Sequence, residues 1–560
     1  MRRHLWLVVP CLTVALAAWL TVYADQPSTG PASAPSGATT STRPVARFTI
    51  SKETTYITGP VNPDGTINYV EAYNKLLGKG VTADNNAALL IAKAIGPKAI
   101  ANLSKEPDRQ KILKALGLED LPETGDYLRD VPFPKDSTYA SRQAVYERID
   151  RAQTQPADKL EDAALLRWLN DNEKPLALMQ QAAKRPRYFT PWISNQTPPT
   201  MLDVLIVLNM PKWLQTGQLF ATRAMHAASD GKVEAATEDL MALHRLARLQ
   251  CQAGTLVDYF IAGWTERTAC NTGRAIACNS KLTSKQAAAM LSQLDSLDPF
   301  PLLSDATLVG ERLHSLDAGM MMTRMGFEGF LRWYEDESSI LASTAPGLEK
   351  IPLPRFDFDT DAYLRAINKH YDDLTAAMSH ASFARCQAAF TQIIRSIPKE
   401  VVEVHREMPD TDIKLSGILA RERIRLLTKK MGAENGDAFA RAFARLDFSG
   451  LDEGSHHERV FYMGMVRRAD LVQSKLCLAL AGYRADKGEF PHKLDDLWPK
   501  YLGTVQFDPF TSQPMKYARK GKGYILYSLG PNMKDDGGHK DGATLFHDPK
   551  LKDDVVVTCE

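Results

Sequence analysis

The order of local signals in the C-terminal fifth of the chain constrains its fold more than any other feature. A long amphipathic helix is predicted over Arg459–Lys487, and Gly488 ends it. A turn rich in lysine and glycine then separates two β-rich segments, which predicts a hairpin over Met515–Arg519 and Tyr524–Leu529. We therefore expect a small α+β module at 455–560.

The region before this module has the periodicity of packed helices. In Lys232–Leu249, apolar side chains recur every three or four residues, as is typical of a helix that packs on a neighbour. The segment Gly217–Ala228 predicts the partner helix of a hairpin. The expected fold class is therefore mainly α, with an irregular array of helical hairpins at 47–450 followed by the α+β module. A short β-containing start is predicted at 47–70, with a strand near Arg47–Ile57.

Further helices are predicted from the same periodicity and from turn residues. Pro175 is expected to break one of them and Gly432 another. The predicted segments are Asn86–Ile95, Asp108–Leu116, Leu160–Ala183, Ser284–Leu297, Ser304–Met322, Asp361–Ser379, Phe383–Ile397 and Ile413–Ala444. Thr82 is the expected N-cap of the first. Met320-Met321-Met322 is interpreted as core filling.

The N-terminus has the layout of an export signal. Basic residues at positions 2–4 precede the apolar run Leu5–Val22, and Val22-Tyr23-Ala24 offers a cleavage site. We expect residues 1–24 to be either a cleaved signal peptide or a retained membrane anchor. The Pro/Ser/Thr-rich stretch at 25–46 is expected to be a disordered linker. The predicted location is the periplasm or cell envelope, with the membrane contacted through the N-terminal segment alone.

The charge balance excludes one class of partner. The chain has 560 residues, with Lys+Arg 68 and Asp+Glu 67. A chain with so little net charge has no overall field to attract nucleic acid, so no nucleic-acid partner is expected. Two or three structural units are expected from the length. Protein or peptide partners at the envelope are the remaining expectation.

Six of the 7 cysteines follow the signal segment. Export permits disulfides, but spacing alone leaves their pairing open. Cys270 and Cys278 are expected to share one helix, where eight residues of rise place them about 12 Å apart, too far to be bridged. Most of the six are interpreted as small buried apolar residues. No zinc-type spacing is present in the sequence.

The C-terminal module resembles the globular region of G-type pseudopilins of type II secretion. The matching landmarks occur in the same order over the last fifth of the chain: Tyr483-Arg484, Gly488, Phe490-Pro491, Leu494, Leu497, Tyr501-Leu502, Asp508-Pro509, Gln513-Pro514, Tyr517, Gly523-Tyr524 and Ser528-Leu529-Gly530. One departure is that Arg467, Arg468 and Asp470 make the preceding helix too polar for a pilin stem. Polymerisation as a pilus subunit is therefore not expected.

Most of the chain also resembles large exported proteins of unknown function from planctomycete-type bacteria. The phrases that carry this likeness are TGPVNPDGTINYVEAYNKLLGKGVTADNNAALLIAKAIGP, DLMALHRLARL and YSLGPNMKDDGG. The resemblance implies a location and an architecture, and it implies no reaction.

The pseudopilin resemblance also implies a calcium site in the acidic loop. Calcium takes hard oxygen ligands, and glycines at 537–538 allow a tight backbone path. The candidate ligands are the Leu529 carbonyl, Asn532, Asp535, Asp536, Asp553 and Asp554. The alternative interpretation is an ordinary solvated acidic turn. No other cofactor is expected.

No local catalytic signature is found in the sequence, and no catalytic residue is assigned. His456-His457-Glu458 is interpreted as a polar helix start rather than a metal site. His244 and His314 are interpreted as residues at the boundary of the core. Two acid–base pairs, Glu266-Arg267 and Glu311-Arg312, are interpreted as charges on exposed helix faces.

The leading hypothesis is an exported, non-enzymatic interaction or scaffold protein of the cell envelope. One alternative is an accessory component of a type II secretion or pilus-like system. The other is a hydrolase with a site among the helices that is not visible in the sequence. A pocket that held acidic or histidine side chains with strongly shifted pKa values would favour the hydrolase.

Overall fold

The structure is a computed structural model, and eleven ranges of the chain are described. They are residues 48–100, 108–133, 138–156, 162–202, 210–306, 308–337, 358–407, 416–432, 436–448, 456–539 and 554–559. The predicted signal segment at 1–24 and the linker at 25–46 lie outside these residues. Among the helices of these ranges, no stretch is apolar over the length that a bilayer requires.

Helices dominate the described ranges, as the sequence predicts. The first nine are α1 Tyr69–Leu77, α2 Ala87–Ile95, α3 Asp108–Leu116, α4 Tyr139–Ala152, α5 Ala163–Asp171, α6 Glu173–Ala182, α7 Met210–Ser229, α8 Val233–Gln250 and α9 Leu256–Asn279. The others are α10 Ser284–Asp295, α11 Leu303–Ala306, α12 Leu308–Glu337, α13 Thr360–Met378, α14 Phe383–Arg395, α15 Lys399–Glu407, α16 Ser416–Met431, α17 Gly436–Phe448 and α18 His456–Lys487. The mainly α fold class with a small C-terminal sheet is confirmed.

Two details of the helix boundaries differ from the prediction. Asn86, not Thr82, is the N-cap of α2, and its side chain accepts a hydrogen bond from the Ala88 N–H. The break in the predicted helix Leu160–Ala183 falls at Asn172 rather than at Pro175. Pro175 lies in the first turn of α6, where the backbone N–H has no intrahelical partner and proline is tolerated.

The strand predicted near Arg47–Ile57 is wrong in the part that the structure describes, because residues 51–57 form turns. The Thr55 N–H donates to the Ser51 carbonyl at 2.9 Å. The Thr55 hydroxyl also donates to the Ser51 carbonyl at 2.9 Å. Side-chain hydrogen bonds of this kind compete with a strand ladder, and β-propensity alone does not register them.

The predicted hairpin is confirmed as β1 Lys516–Lys520 and β2 Gly523–Ser528. A third strand, β3 Val555–Cys559, pairs antiparallel with β2, so the sheet order is β1-β2-β3. Strand β3 was not predicted from the sequence. The β-branched run at its start was the available signal, but its partner lies more than twenty residues earlier in the chain.

Helix α18 joins the sheet to the rest of the molecule. It packs on α9 and α10, and it also contacts β2 and β3. The apolar side chains buried among the described residues form two clusters. One cluster contains side chains from both sides of 450–455, so it joins the helical region to the C-terminal module. Met320, Met321 and Met322 belong to this cluster. The interpretation of these three methionines as core is confirmed. Helices α8 and α9 contribute side chains to both clusters.

Candidate functional site

Helices α8 and α9 bring four chemically active side chains together in the interior. His244 and Arg248 lie one turn apart on α8, and Glu266 and Cys270 lie one turn apart on α9. Because α8 and α9 pack against each other, the two pairs meet. One ligand atom each from His244, Glu266 and Cys270 all lie within 4.8 Å of one another.

The Glu266 carboxylate is the centre of this group and is fully buried. Its Oε2 is 2.9 Å from His244 Nδ1 and accepts a hydrogen bond from Arg248 Nη1 at 2.8 Å. Arg248 Nη2 donates to Oε1 at 3.3 Å. An ionised carboxylate only accepts hydrogen bonds, so the proton between His244 and Glu266 lies on His244 Nδ1. The carboxylate is therefore shared as a hydrogen-bond acceptor by two side chains of the neighbouring helix.

The electrostatics of the group follow from these contacts. Burial disfavours ionisation of Glu266, but the charges and hydrogen bonds of His244 and Arg248 outweigh it and lower the pKa of Glu266 to about 2. Burial, together with the nearby Glu266 charge, raises the pKa of the Cys270 thiol far above its ordinary value. Since the thiolate is the reactive form of cysteine, Cys270 is held in its unreactive form.

The space beside the group is small. A cavity of about 20 Å³ lies next to His244, and apolar side chains such as Met241, Leu294 and Leu478 line it. That volume holds roughly one water molecule. Arg248 already supplies the positive charge that a metal ion would bring to Glu266, so the donor set does not fit a resident cation. The arrangement fastens α8 to α9.

The interpretations of His244 as a boundary residue and of Glu266 as an exposed helix-face charge are wrong. Both side chains are at most 2% exposed. The reason is that Glu266 finds its partners on the preceding helix, which periodicity within α9 does not reveal. The spacing of His244 and Arg248 by one turn, matched by Glu266 and Cys270, was the signal that the sequence contained.

The second predicted pair of helix-face charges, Glu311-Arg312, also makes tertiary contacts instead. The Leu256 N–H at the start of α9 donates to Glu311 Oε1 at 2.6 Å. Arg312 lies 4.3 Å from the centre of the Tyr56 ring and donates to Asp372 at 2.7 Å. Burial lowers the pKa of the neighbouring His314 to about 4. These groups connect α12 to other elements.

The cluster His456-His457-Glu458 does open a helix, α18, as predicted. The side chains are not a solvated start, however, because His457 and Glu458 are buried. The ring of His457 lies 5.7 Å from that of His370. The Tyr462 hydroxyl donates to Glu458. The cluster therefore belongs to the contact between α18 and the helices before it.

The candidate calcium ligands are divided between a loop and the start of β3. Asp535 Oδ1 accepts hydrogen bonds from the Tyr527 hydroxyl at 2.9 Å and from the Gly537 N–H at 3.0 Å. Asn532 donates to Asp536 at 3.0 Å. The pairing of β3 with β2 brings the buried Asp554 to the same loop, where it accepts from the Gly538 N–H at 2.8 Å.

The remaining two candidate calcium ligands are Leu529 and Asp553. The backbone of Leu529 is held by Asp508, whose carboxylate accepts its N–H at 3.0 Å. Asp553 lies outside the described residues. Within those residues, a set of three ligand atoms within 4.8 Å of one another occurs at His244, Glu266 and Cys270 and not among the acidic side chains of this loop. Calcium at this loop stays a prediction.

Comparison of the chain with protein-family models, with curated proteins and with solved structures found no match.

Proposed function

We propose that the chain is an exported, non-enzymatic interaction protein of the cell envelope. Its C-terminal module would bind an extended, acidic segment of a partner protein along β1. The observation that carries this proposal is the position of β1 at the edge of the sheet, with β2 as its partner strand in the described residues. An edge strand presents backbone N–H and C=O groups that an extended peptide can pair with.

The charges along β1 favour an acidic partner. Lys516 and Lys520 are exposed on the strand, and Lys522 is exposed in the turn that follows. Arg519 adds a fourth cation, and its contact at 2.7 Å is with the exposed Glu489. Surface ion pairs of this kind contribute little and exchange readily. Carboxylates of an incoming strand could therefore replace them.

The segment before β1 supplies exposed apolar surface. Trp498, Val505 and Phe507 are 48%, 48% and 52% exposed. Phe507 forms a β-bridge with Pro514, which lies two residues before the start of β1. Large apolar side chains at the surface near an unpaired edge are typical of protein-binding sites. We therefore expect apolar side chains to alternate with acidic ones in the partner segment.

The interior polar groups support a non-enzymatic function. Glu266 is paired with His244 and Arg248, and the cavity beside them has the size of one water molecule. A carboxylate whose oxygens are bonded to two neighbouring side chains inside the core is a structural contact, and it is not placed to act on a substrate.

The proposal is tested by fluorescence anisotropy with a labelled peptide of alternating glutamate and valine residues. The full chain should bind this peptide, and binding should weaken with added salt. The double variant Lys520→Glu/Lys522→Glu should bind at least about tenfold more weakly, a loss of about 1.4 kcal/mol. The variant Phe507→Ser should also bind more weakly, because it removes apolar contact next to the edge.

Matched controls separate a local effect from a general one. Lys281→Glu/Lys285→Glu makes the same charge change on exposed lysines next to and within α10, and Tyr139→Ser removes an exposed aromatic ring from α4. Both controls should bind like the wild type. Equal binding by the β1 variants and the controls, or no binding by the wild type, would refute the proposed docking edge.

A further inference from the structure

Three cysteines that are far apart in the chain meet between the helices and the sheet. Cys278 lies in the last turn of α9, Cys477 lies on α18, and Cys559 is the last residue of β3. The Cys278 side chain interacts with the thiols of both Cys477 and Cys559. Cys278 is thus the shared neighbour in a cluster of three thiols, which we call the thiol cluster.

The sheet register explains how Cys559 reaches this place. Cys559 is the direct partner of Tyr524 in the pairing of β2 with β3. The Tyr524 hydroxyl lies 3.4 Å from Cys278 Sγ. Because directly paired residues of neighbouring strands share a face of the sheet, Cys559 lies on the same face as Tyr524, towards α9 and α18.

Arg484 supplies positive charge beside the cluster. Its guanidinium donates to the carbonyl oxygens of Cys278 at 3.1 Å, Ala277 at 3.3 Å and Ser280 at 3.4 Å. The neighbouring thiols of Cys477 and Cys559, with smaller contributions from the Tyr524 hydroxyl and the charge of Arg484, hold the pKa of Cys278 well below its usual range. The thiolate is the nucleophilic form of cysteine.

Access to the three thiols differs. Cys278 is partly exposed, whereas Cys477 and Cys559 are buried. A reagent from solution therefore reaches Cys278 before it reaches its neighbours.

We propose that Cys278 is an oxidation site that forms a disulfide with either Cys477 or Cys559, and so ties α9 to α18 or to the last strand. The oxidant is a disulfide of low molecular weight or of a partner protein. The Cys278 thiolate attacks one sulfur of the oxidant and releases one thiol. The second cysteine of the pair then loses its proton, attacks the Cys278 sulfur and releases the second thiol.

The step is balanced, since two thiols of the protein lose two protons and two electrons, and one disulfide becomes two thiols. The three sulfur atoms of the cluster do not all lie within 4.8 Å of one another. This geometry suits bonding of Cys278 with one neighbour at a time better than joint binding of an ion by all three sulfurs.

The other cysteines that the structure describes have different surroundings. Cys251, Cys270 and Cys386 are buried. Burial raises the pKa of each of the three thiols. The proposal therefore predicts a selective reaction rather than general oxidation of thiols.

The experiment treats the reduced full chain with oxidised glutathione, blocks the remaining thiols with N-ethylmaleimide and maps the disulfides by mass spectrometry without reduction. The wild type should give one internal disulfide that contains Cys278. Cys559→Ser should still form the bond between Cys278 and Cys477. Cys477→Ser should still form the bond between Cys278 and Cys559. Cys278→Ser should form neither bond.

Cys386→Ser is the matched control, because it removes a buried cysteine outside the cluster, and its disulfide map should equal that of the wild type. Oxidation should also raise the thermal midpoint of the wild type and leave that of Cys278→Ser unchanged. A disulfide that excludes Cys278, or a full set of reactive thiols after oxidation of the folded wild type, would overturn the proposal. The map of the wild type decides the question even if a variant fails to fold.

Discussion

Helix α9 contacts its neighbours α8 and α18 through two networks of charged side chains. The two networks differ in which helix carries the carboxylate and which carries the cation. Towards α8, one carboxylate of α9, Glu266, is shared by His244 and by Arg248 at 2.8 Å. Towards α18, the cation is on α9, where Arg274 Nη1 donates to Asp470 Oδ1 at 3.0 Å. The first network joins two helices of the predicted helical region. The second joins that region to the helix of the predicted C-terminal module.

In the second network, two arginines share one carboxylate. Asp470 also contacts Arg467 at 3.2 Å, so one buried carboxylate lies between two buried guanidinium groups. Burial disfavours ionisation of Asp470, but Arg467 and Arg274 hold its pKa below the ordinary value. The contact between α9 and α18 thus has the burial and the charge pairing of an interior contact. We therefore expect α18 to unfold together with α9.

The largest effect is expected from Glu266→Ala. Removing this carboxylate leaves the buried His244 and the partly buried Arg248 without their shared carboxylate, which should lower the free energy of unfolding by about 3–5 kcal/mol. The measurement is chemical denaturation followed by circular dichroism. Glu238→Ala is the control, because Glu238 is exposed on α8 and its removal should change stability by no more than about 0.5 kcal/mol. A similar small effect of both variants would show that the first network is not a stabilising contact.

Asp470→Ala tests the second network and should cost about 3 kcal/mol. The decisive result is the number of transitions. If α18 is an interior helix, the wild type and the variant should each unfold in one transition by both near- and far-ultraviolet circular dichroism. Two separated transitions, of which the variant shifts only one, would show that α18 does not unfold together with α9. Asp486→Ala is the matched control. Asp486 also lies on α18, but it is exposed and pairs with Lys500 at the surface.

A pair of glycines on α18 tests its contact with α9 without changing any charge. A Cβ at Gly464 would overlap the Tyr259 hydroxyl of α9, whereas a Cβ at Gly482 would make ordinary contacts at 3.5 Å and 3.6 Å. Gly464→Ala should therefore destabilise the protein by about 1–3 kcal/mol. Gly482→Ala should stabilise it by up to about 1 kcal/mol, through helix propensity. Thermal melts of the two variants give the measurement, and a stabilised Gly464→Ala would mean that α18 does not approach α9 closely.

Local patterns in the sequence predict the helices well, because an apolar stripe and its caps lie within one segment. Lys232–Leu249 and the interruption near Gly432 are examples, and both agree with the observed helices. The hairpin is also local, since its turn and both strands are adjacent. These elements could be placed without knowing what they pack against.

The contacts that give the interior its chemistry could not be predicted in the same way. Cys278, Cys477 and Cys559 meet although they are distant in the chain, and β3 finds its place only by pairing with β2. Glu266 on its own has the appearance of a helix-face charge until its neighbour α8 is positioned. Tertiary packing determines which residues meet across long sequence separations. The periodic pattern of one segment carries no information about its distant partners.

A pH-dependent effect is expected from a buried carboxyl that has no cation in its hydrogen bonds. Asp317 is fully buried like Glu266, but its hydrogen bonds come from the Thr200 hydroxyl and the Met201 N–H. Burial raises the pKa of Asp317 to about 6, against the opposing effect of these bonds. Its folded form therefore holds a proton that the unfolded chain has lost. The stability from Asp317 is present below its ordinary pKa and is lost as pH rises through about 6.

Asp317→Asn should remove this pH dependence, because an amide accepts the same hydrogen bonds and does not ionise. The stability of the variant relative to the wild type should rise between about pH 4 and pH 6, by no more than about 1.4 kcal/mol per pH unit. Glu266 behaves oppositely, since its lowered pKa means that its contribution is lost as pH falls from about 4.5 towards 2. Denaturation at several pH values measures both slopes. If stability changed with pH in the same direction for Asp317 and Glu266, the presence of a cation partner would not explain the opposite pKa shifts of these two buried carboxyl groups.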